Sequence, residues 1–120
     1  MDPSQLGTHF AGLRATVTVA DENGRIIFLN DLAIAHYADR GGSALIGTHL
    51  HDCHNRASQE KIRRMVARYR SGDLSPTRYH EQQADGTAQS IVVIPIIVED
   101  QFRGIAELMW SERPELVVEK

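Results

Sequence analysis

The stretch ATVTVADENGRIIFLN, residues 15–30, decides the fold. Two runs rich in β-branched residues flank Asn23-Gly24, the pair best suited to the positive φ angles of a tight hairpin turn. An antiparallel pair of strands is therefore expected early in the chain. A lone hairpin is marginal in water, so the rest of the sequence has to supply more strands and a cover for one face.

The further strands lie at the far end, in TRYHEQQ (77–83), a turn at Asp85-Gly86, QSIVVIPIIV (89–98), a turn at Glu99 to Gln101, and FRGIAELMW (102–110). Pro95 removes one ladder donor, so its strand should be interrupted, bulged or locally at an edge. Between the two β-rich ends, NDLAIAHYADRGGSALIGTHL (30–50) offers Asn30 or Asp31 as a helix cap, then Leu32, Ala35 and Ala38 before the Gly41-Gly42 break. It reads as a short helix, a loop and a further turn near LIG. The next helix is better defined, because Ile62, Met65, Val66 and Tyr69 fall at i, i+3, i+4 and i+7 and set one apolar stripe against a core. Asn55 is its natural cap and Gly72 its stop. Ahead of the hairpin, Asp2 as cap, Pro3 at the first helical position and Leu6, Phe10 and Leu13 at helical spacing predict a short helix, weakened by Gly7 and Gly12.

The order β-β, several short helices, β-β-β predicts an α+β domain with one five-stranded antiparallel sheet, short helices on one face and an N-terminal helix. The second face needs shielding by the N-terminal helix or by a partner subunit. Residues 1–14 are expected to be an N-terminal helix and dimerisation segment, 15–112 the domain, and 113–120 a C-terminal tail.

Composition bounds the function. At 120 residues the chain suits one core, since two independent domains would each be marginal. Its 42% apolar and 24% charged residues place it among ordinary globular proteins. Thirteen basic against sixteen acidic residues give a net charge of −3, which argues against direct nucleic-acid binding. No apolar run approaches the ~20 residues of a spanning helix. MDPSQLG has neither the basic nor the apolar part of a secretory signal, so the expected location is the cytoplasm, with no membrane contact. Cys53, the only cysteine, has no partner for an internal disulfide.

Taken together, the VADENGRIIFLN hairpin, the LIG turn, the capped helix ending in RYRSG, the ADG turn and the FRGIAEL strand resemble a PAS domain over residues 11–110. The resemblance rests on their order and spacing, no single piece being specific. It implies a five-stranded sheet cupping a small cavity under the helices, used to sense a ligand or cofactor or for dimeric signalling contacts. Within the family, LIGTHLHDCHNRASQEKI (45–62) looks like the bacterial signalling PAS domains that carry a Cys-His motif just before the long helix, although Arg56 stands where their pattern often has proline. In haem-bearing oxygen sensors of this fold the axial histidine lies within the long helix, where this sequence has Ile62. In flavin photosensors the reactive cysteine belongs to an NCRFLQ motif just beyond the IG turn, where this sequence has Thr48 and His49. Neither mode of cofactor binding is expected here.

Four readings compete for His49, His51, Cys53 and His54. Zinc favours imidazole and thiolate, but structural sites draw ligand pairs from separate segments, so His36 or His80 would have to complete the set. Haem could take Cys53 or His54 as axial ligand beside an apolar cavity. A reactive thiol at Cys53 would gain thiolate character from the helix N-terminus and protonated histidines. The plainest reading is a structural helix entrance, with Cys53 packed and Asp52, His54 and Asn55 bonding loop backbone. That reading is favoured, with the ligand cavity next to it; the ligand-binding candidates are His51, Cys53, His54, Ile62, Met65, Val66 and Tyr69.

The basic run KIRRMVARYR (61–70) places Lys61, Arg64 and Arg68 on one helix side, with Arg63 and Arg70 on its flank. It reads as a solvated flank, the alternative being a surface for phosphates or an acidic partner. Leu108, Met109 and Trp110, with Phe10 and Leu13, are expected to form an apolar patch outside the sheet that joins two copies as a homodimer. The resulting expectation is a non-catalytic sensory or regulatory module of bacterial signal transduction, acting on a signalling partner. The alternatives are a ligand-free protein-interaction module and a Cys53-based redox switch.

Overall fold

In the computed structural model the described residues are 5–82 and 86–112, the side chains of Cys53, Glu81, Gln82 and Glu112 excepted. Asp2, Pro3, Asp85 and the 113–120 tail lie outside them.

Five strands, β1 (Thr16–Asp21), β2 (Ile26–Leu29), β3 (Thr77–Gln82), β4 (Ala88–Val98) and β5 (Gln101–Glu112), form one sheet in the order β2-β1-β5-β4-β3. Every neighbouring pair is antiparallel. The centre of the sheet thus joins β1 to β5, strands from opposite ends of the described chain.

The β1–β2 reversal differs from the expected two-residue turn. Asp21 Oδ1 accepts from the amides of Asn23 at 2.9 Å and Arg25 at 3.0 Å, and Gly24 N donates to the Asp21 carbonyl at 3.0 Å. Gly24 has φ 82°, whereas Asn23 is not among the residues of positive φ. This is a three-residue loop with glycine at its left-handed position. The two-residue reversal lies between β4 and β5, where Val98 pairs with Gln101 around Glu99 and Asp100 at φ 52° and 63°.

Two bulges shape the sheet. Ala20 pairs with Ile26 and Val19 with Phe28, so Ile27 is the extra residue, and Ile26 and Leu29 both turn to the helix-covered face. Strict alternation would have set them on opposite faces. Ile96 pairs with Gly104 and Ile97 with Phe102, which leaves Arg103 as the extra residue and lets Phe102 pack beside the cluster containing Ile105. Pro95 stays inside β4, opposite Ile105. Because β3 begins opposite Val93, β4 is an edge on that side where the proline falls, which is one of the three expected accommodations.

Helix α1 (Leu6–Ala11) begins after Gln5, which makes no side-chain cap. Helix α2 (Asp31–His36) is capped by Asn30, whose side chain accepts from Ala33 N. Its inward residue is Ala33, fully buried, with Ile34 and Tyr37 packed near it. The expected 32/35/38 stripe is corrected by this: Ala35 and Ala38 are exposed, because the tie of Asn30 to β1 sets the helix rotation. Three 3-10 turns follow, at Ala38–Arg40, Gly42–Leu45 and Leu50–Cys53.

Helix α3 (Arg56–Arg70) starts at Asn55, whose side chain accepts from Ser58 N at 2.8 Å. Just past its C-cap, Ser71, comes Gly72 at φ 103°. It buries Met65 and Tyr69 on Ala20, Val93 and Ile105 of the sheet. A second cluster, Ile26, Leu29 and Ala33, holds α2 to β2, with Leu50 touching both clusters.

Candidate ligand cavity

Between the two clusters the helices do not meet the sheet, and a cavity of about 310 Å³ remains. Its floor is Thr18 and Ala20 of β1, Ile91 and Val93 of β4, and Ile105 and Glu107 of β5, with Tyr79 of β3 at one side. Its roof is Ser58, Lys61, Ile62 and Met65 of α3. Leu45, Leu50 and His54 complete the lining, together with Arg40, which like Lys61 is exposed. That volume sits at the lower end of small-molecule sites, roughly 300–1,000 Å³.

The polar groups of the floor are unusual. Thr18 is 7% exposed, and its Oγ1 has no hydrogen-bond partner among the described residues. Across the ladder from Thr18 stands Glu107. Burial pushes the Glu107 carboxyl above its ordinary range, against a smaller opposing pull from the charge of His54. Burial also raises the Tyr79 hydroxyl, with Tyr69 and Glu107 adding to the effect, so Tyr79 remains a donor at neutral pH. Neither Thr18 nor Glu107 was singled out from the sequence. An acid between Ile105 and Met109 on the inward parity of an otherwise apolar strand is the signal that could have found Glu107; Thr18 carries none, because TVTV pairs equally well with either face inward.

Of the candidates named from the sequence, His54, Ile62 and Met65 line this cavity. Val66 and His51 line a smaller hollow of about 160 Å³ between the β1–β2 loop and α3, with Ile62 shared. Tyr69 lines neither and packs: it is buried, and its hydroxyl donates to the Val93 carbonyl at 3.1 Å and bonds Thr77 Oγ1 at 2.7 Å. Cys53 ends the 3-10 turn, and its side chain lies outside the described residues.

Around Cys53 the motif is held by hydrogen bonds. His54 Nδ1–H donates to the Leu50 carbonyl at 2.6 Å, His49 Nδ1 accepts from His51 N at 3.1 Å, and the Gln59 amide donates to the carbonyls of His51 at 2.8 Å and His54 at 2.9 Å. His49 lies against Gly24, where an added Cβ would come within 2.7 Å of its ring. Among the described residues no three His, Cys, Asp or Glu side chains gather in a way that could hold a metal ion. A haem does not fit within the cavity, since its tetrapyrrole plate exceeds a volume of about 310 Å³.

The basic face of α3 is engaged within the chain. Glu60 pairs with Arg63 and Arg64, Arg68 donates to the Ser75 carbonyl at 3.1 Å and to Thr77, and Arg70 donates to the Glu22 carbonyl at 2.6 Å while lying over Phe102. The apolar patch also divides. Met109 shares the inward parity of Ile105 and Glu107 and is buried, so it is not part of the outer face, to which Leu108 and Trp110 belong.

With this geometry in place, the comparisons bear on the fold. A C-terminal domain from Streptococcus mutans superposes with a TM-score of 0.78 at 15% identity, covering 96% of this chain and 88% of that one. A sensory box sensor histidine kinase from Vibrio cholerae gives 0.63 at 14% identity, with 91% and 90% covered. The PAS domain of BvgS from Bordetella pertussis gives 0.62 at 19% identity, with 94% and 91% covered. No family model matches the chain, and no curated protein matches it in sequence. A five-stranded antiparallel sheet in the order 2-1-5-4-3, with short helices roofing a cavity on one face, defines the class. The fold is that of a PAS domain. The likeness extends to the fold and not to the narrower Cys-His grouping.

Proposed function

We propose that the chain is a sensory or regulatory module of bacterial signal transduction, without catalysis, that holds a small ligand between the sheet and α3. Residues 15–112 form the module, 1–14 a dimerisation segment and 113–120 a tail, and it works in the cytoplasm. The observation that carries this reading is the cavity of about 310 Å³ between the sheet and α3, walled mostly by apolar side chains with the Glu107 carboxyl among them. The PAS domains of sensor histidine kinases among the similar structures support a sensing role. His54, Ile62 and Met65 would touch the ligand, and Cys53, His51, Val66 and Tyr69 would support the wall around it. Occupancy shifts the balance between two packings of α3 on the sheet, and contacts with a second copy or a signalling partner pass the change on.

Native mass spectrometry of the purified chain tests this. The expected result is a retained small mass that is lost on denaturation and absent from Ile62→Trp, which fills the cavity. A bare chain mass that stays bare after exposure to a small-molecule extract would overturn the ligand reading.

A second reading, a protein-contact module, is favoured by the outer face of the sheet. Val92, Ile94, Ala106 and Leu108 share that face by register, Ile94 is 40% exposed, and Leu6 and Phe10 of α1 are also exposed. Sedimentation analysis is expected to give a dimer that Ile94→Glu disperses; a parent chain monomeric at high micromolar concentration would refute this.

A further inference from the structure

The cavity lining is rich in basic side chains. Arg40 of the 38–40 turn, His54 and Lys61 of α3 all contribute to it, against Glu107 as its one acid. The charge of His54 acts on Glu107, so that acid has its counterpart within the wall. Arg40 and Lys61 have none: among the described residues, no ion pair or side-chain hydrogen bond engages either. Further along α3 the arginines differ. Arg63 and Arg64 are held by Glu60, Arg68 by Ser75 and Thr77, and Arg70 by Glu22, and none of the four lines this cavity. Ser58, one turn ahead of Lys61 on the same side of the helix, adds a hydroxyl to the wall. Two unpaired cations from separate elements therefore meet one small, largely apolar space.

Ligand classes can be separated on that chemistry. A carboxylate matches the planar fork of an arginine with its two oxygens and accepts from an ammonium or hydroxyl as well, and such charge-assisted bonds are about twice as strong as neutral ones. An ammonium ligand would set like charge beside Arg40 and Lys61. A dicarboxylate would carry its second charge into a wall that already holds Glu107. Inorganic phosphate would leave Ile62, Met65, Val93 and Ile105 uncovered. Resting on the reading of this cavity as a ligand site, we infer that it takes a small monocarboxylate, its carboxylate on Arg40 and Lys61 and its apolar body against Ile62, Met65 and Ile105.

The test titrates the full chain at neutral pH and low salt with 3-phenylpropionate, 3-phenylpropanol and 3-phenylpropylamine, three probes that share one apolar body and differ in charge. The carboxylate is expected to bind about tenfold tighter than the alcohol, with the amine weaker than either, and the margin to shrink as salt is raised. Arg40→Gln and Lys61→Gln alter exposed side chains; each should weaken the carboxylate about threefold and leave the alcohol unchanged. Ile62→Trp, which fills the cavity, should remove binding of both. The monocarboxylate inference is overturned if the alcohol, the amine or inorganic phosphate matches the carboxylate, if neither glutamine variant weakens it, or if it still binds Ile62→Trp. Alcohol binding that Ile62→Trp removes would keep the cavity a ligand site in each of those cases. Failure of all three probes to bind overturns both.

Discussion

The buried side chain of Asn30 accepts the amide of Val17 at 3.0 Å, and this bond ties the first strand to the first helix of the domain. The same Oδ1 accepts from Ala33 N at 3.0 Å, while Nδ2 donates to the carbonyls of Leu13 at 3.2 Å and Ala15 at 2.8 Å. All four bonding positions of the amide are filled at a residue with no exposure.

Asn30→Ala should therefore cost about 3 kcal/mol or more, since it removes a helix cap and strands several backbone groups. Urea denaturation checks this through a lowered midpoint at unchanged slope. A loss under about 1 kcal/mol would contradict the role given to Asn30.

Gly104 lies opposite Asp21 at φ 146°, where an added Cβ would sit 2.0 Å from the Ala20 carbonyl oxygen. That oxygen is backbone and cannot swing aside, so Gly104→Ala is expected to cost about 3 kcal/mol or to prevent folding. Gly7→Ala is the control. With open space around it and a place inside α1, it should be neutral or stabilising.

The β4–β5 reversal leaves room for improvement. Glu99 and Asp100 both hold positive φ, a conformation that disfavours most side chains by about 1–2 kcal/mol. Combining Glu99→Asn with Asp100→Gly, which gives the turn the residue types its backbone favours, should raise stability by about 1 kcal/mol. An unchanged or lowered denaturation midpoint would show that the turn relaxes differently.

Stability should also depend on pH through Glu107. Its folded-state pKa is raised above the ordinary value near 4.5, so between the two values the folded chain holds more protons than the unfolded one. Stability then falls as pH rises through that window and stays lower above it. Melting temperatures of the parent and Glu107→Gln, compared from pH 4 to 8, should differ increasingly in favour of the variant as pH rises. A difference independent of pH would remove the burial argument.

The order of strands and helices, the Asn55 cap, a cap at Asn30 or Asp31, the Ile62 to Tyr69 stripe and the site of the Pro95 exception were all legible in the sequence. Each depends on neighbours within a few residues, where backbone geometry and side-chain periodicity act directly. The interior of the site was not. Thr18 and Glu107 meet only because β1 and β5 pair from opposite ends of the described chain, and the bulges at Ile27 and Arg103 decide which side chains turn inward. Alternation in a strand defines two faces without saying which is covered. That choice belongs to the tertiary structure, where α3 settles on the threonine face of β1 and encloses two polar groups that no local pattern could bring together.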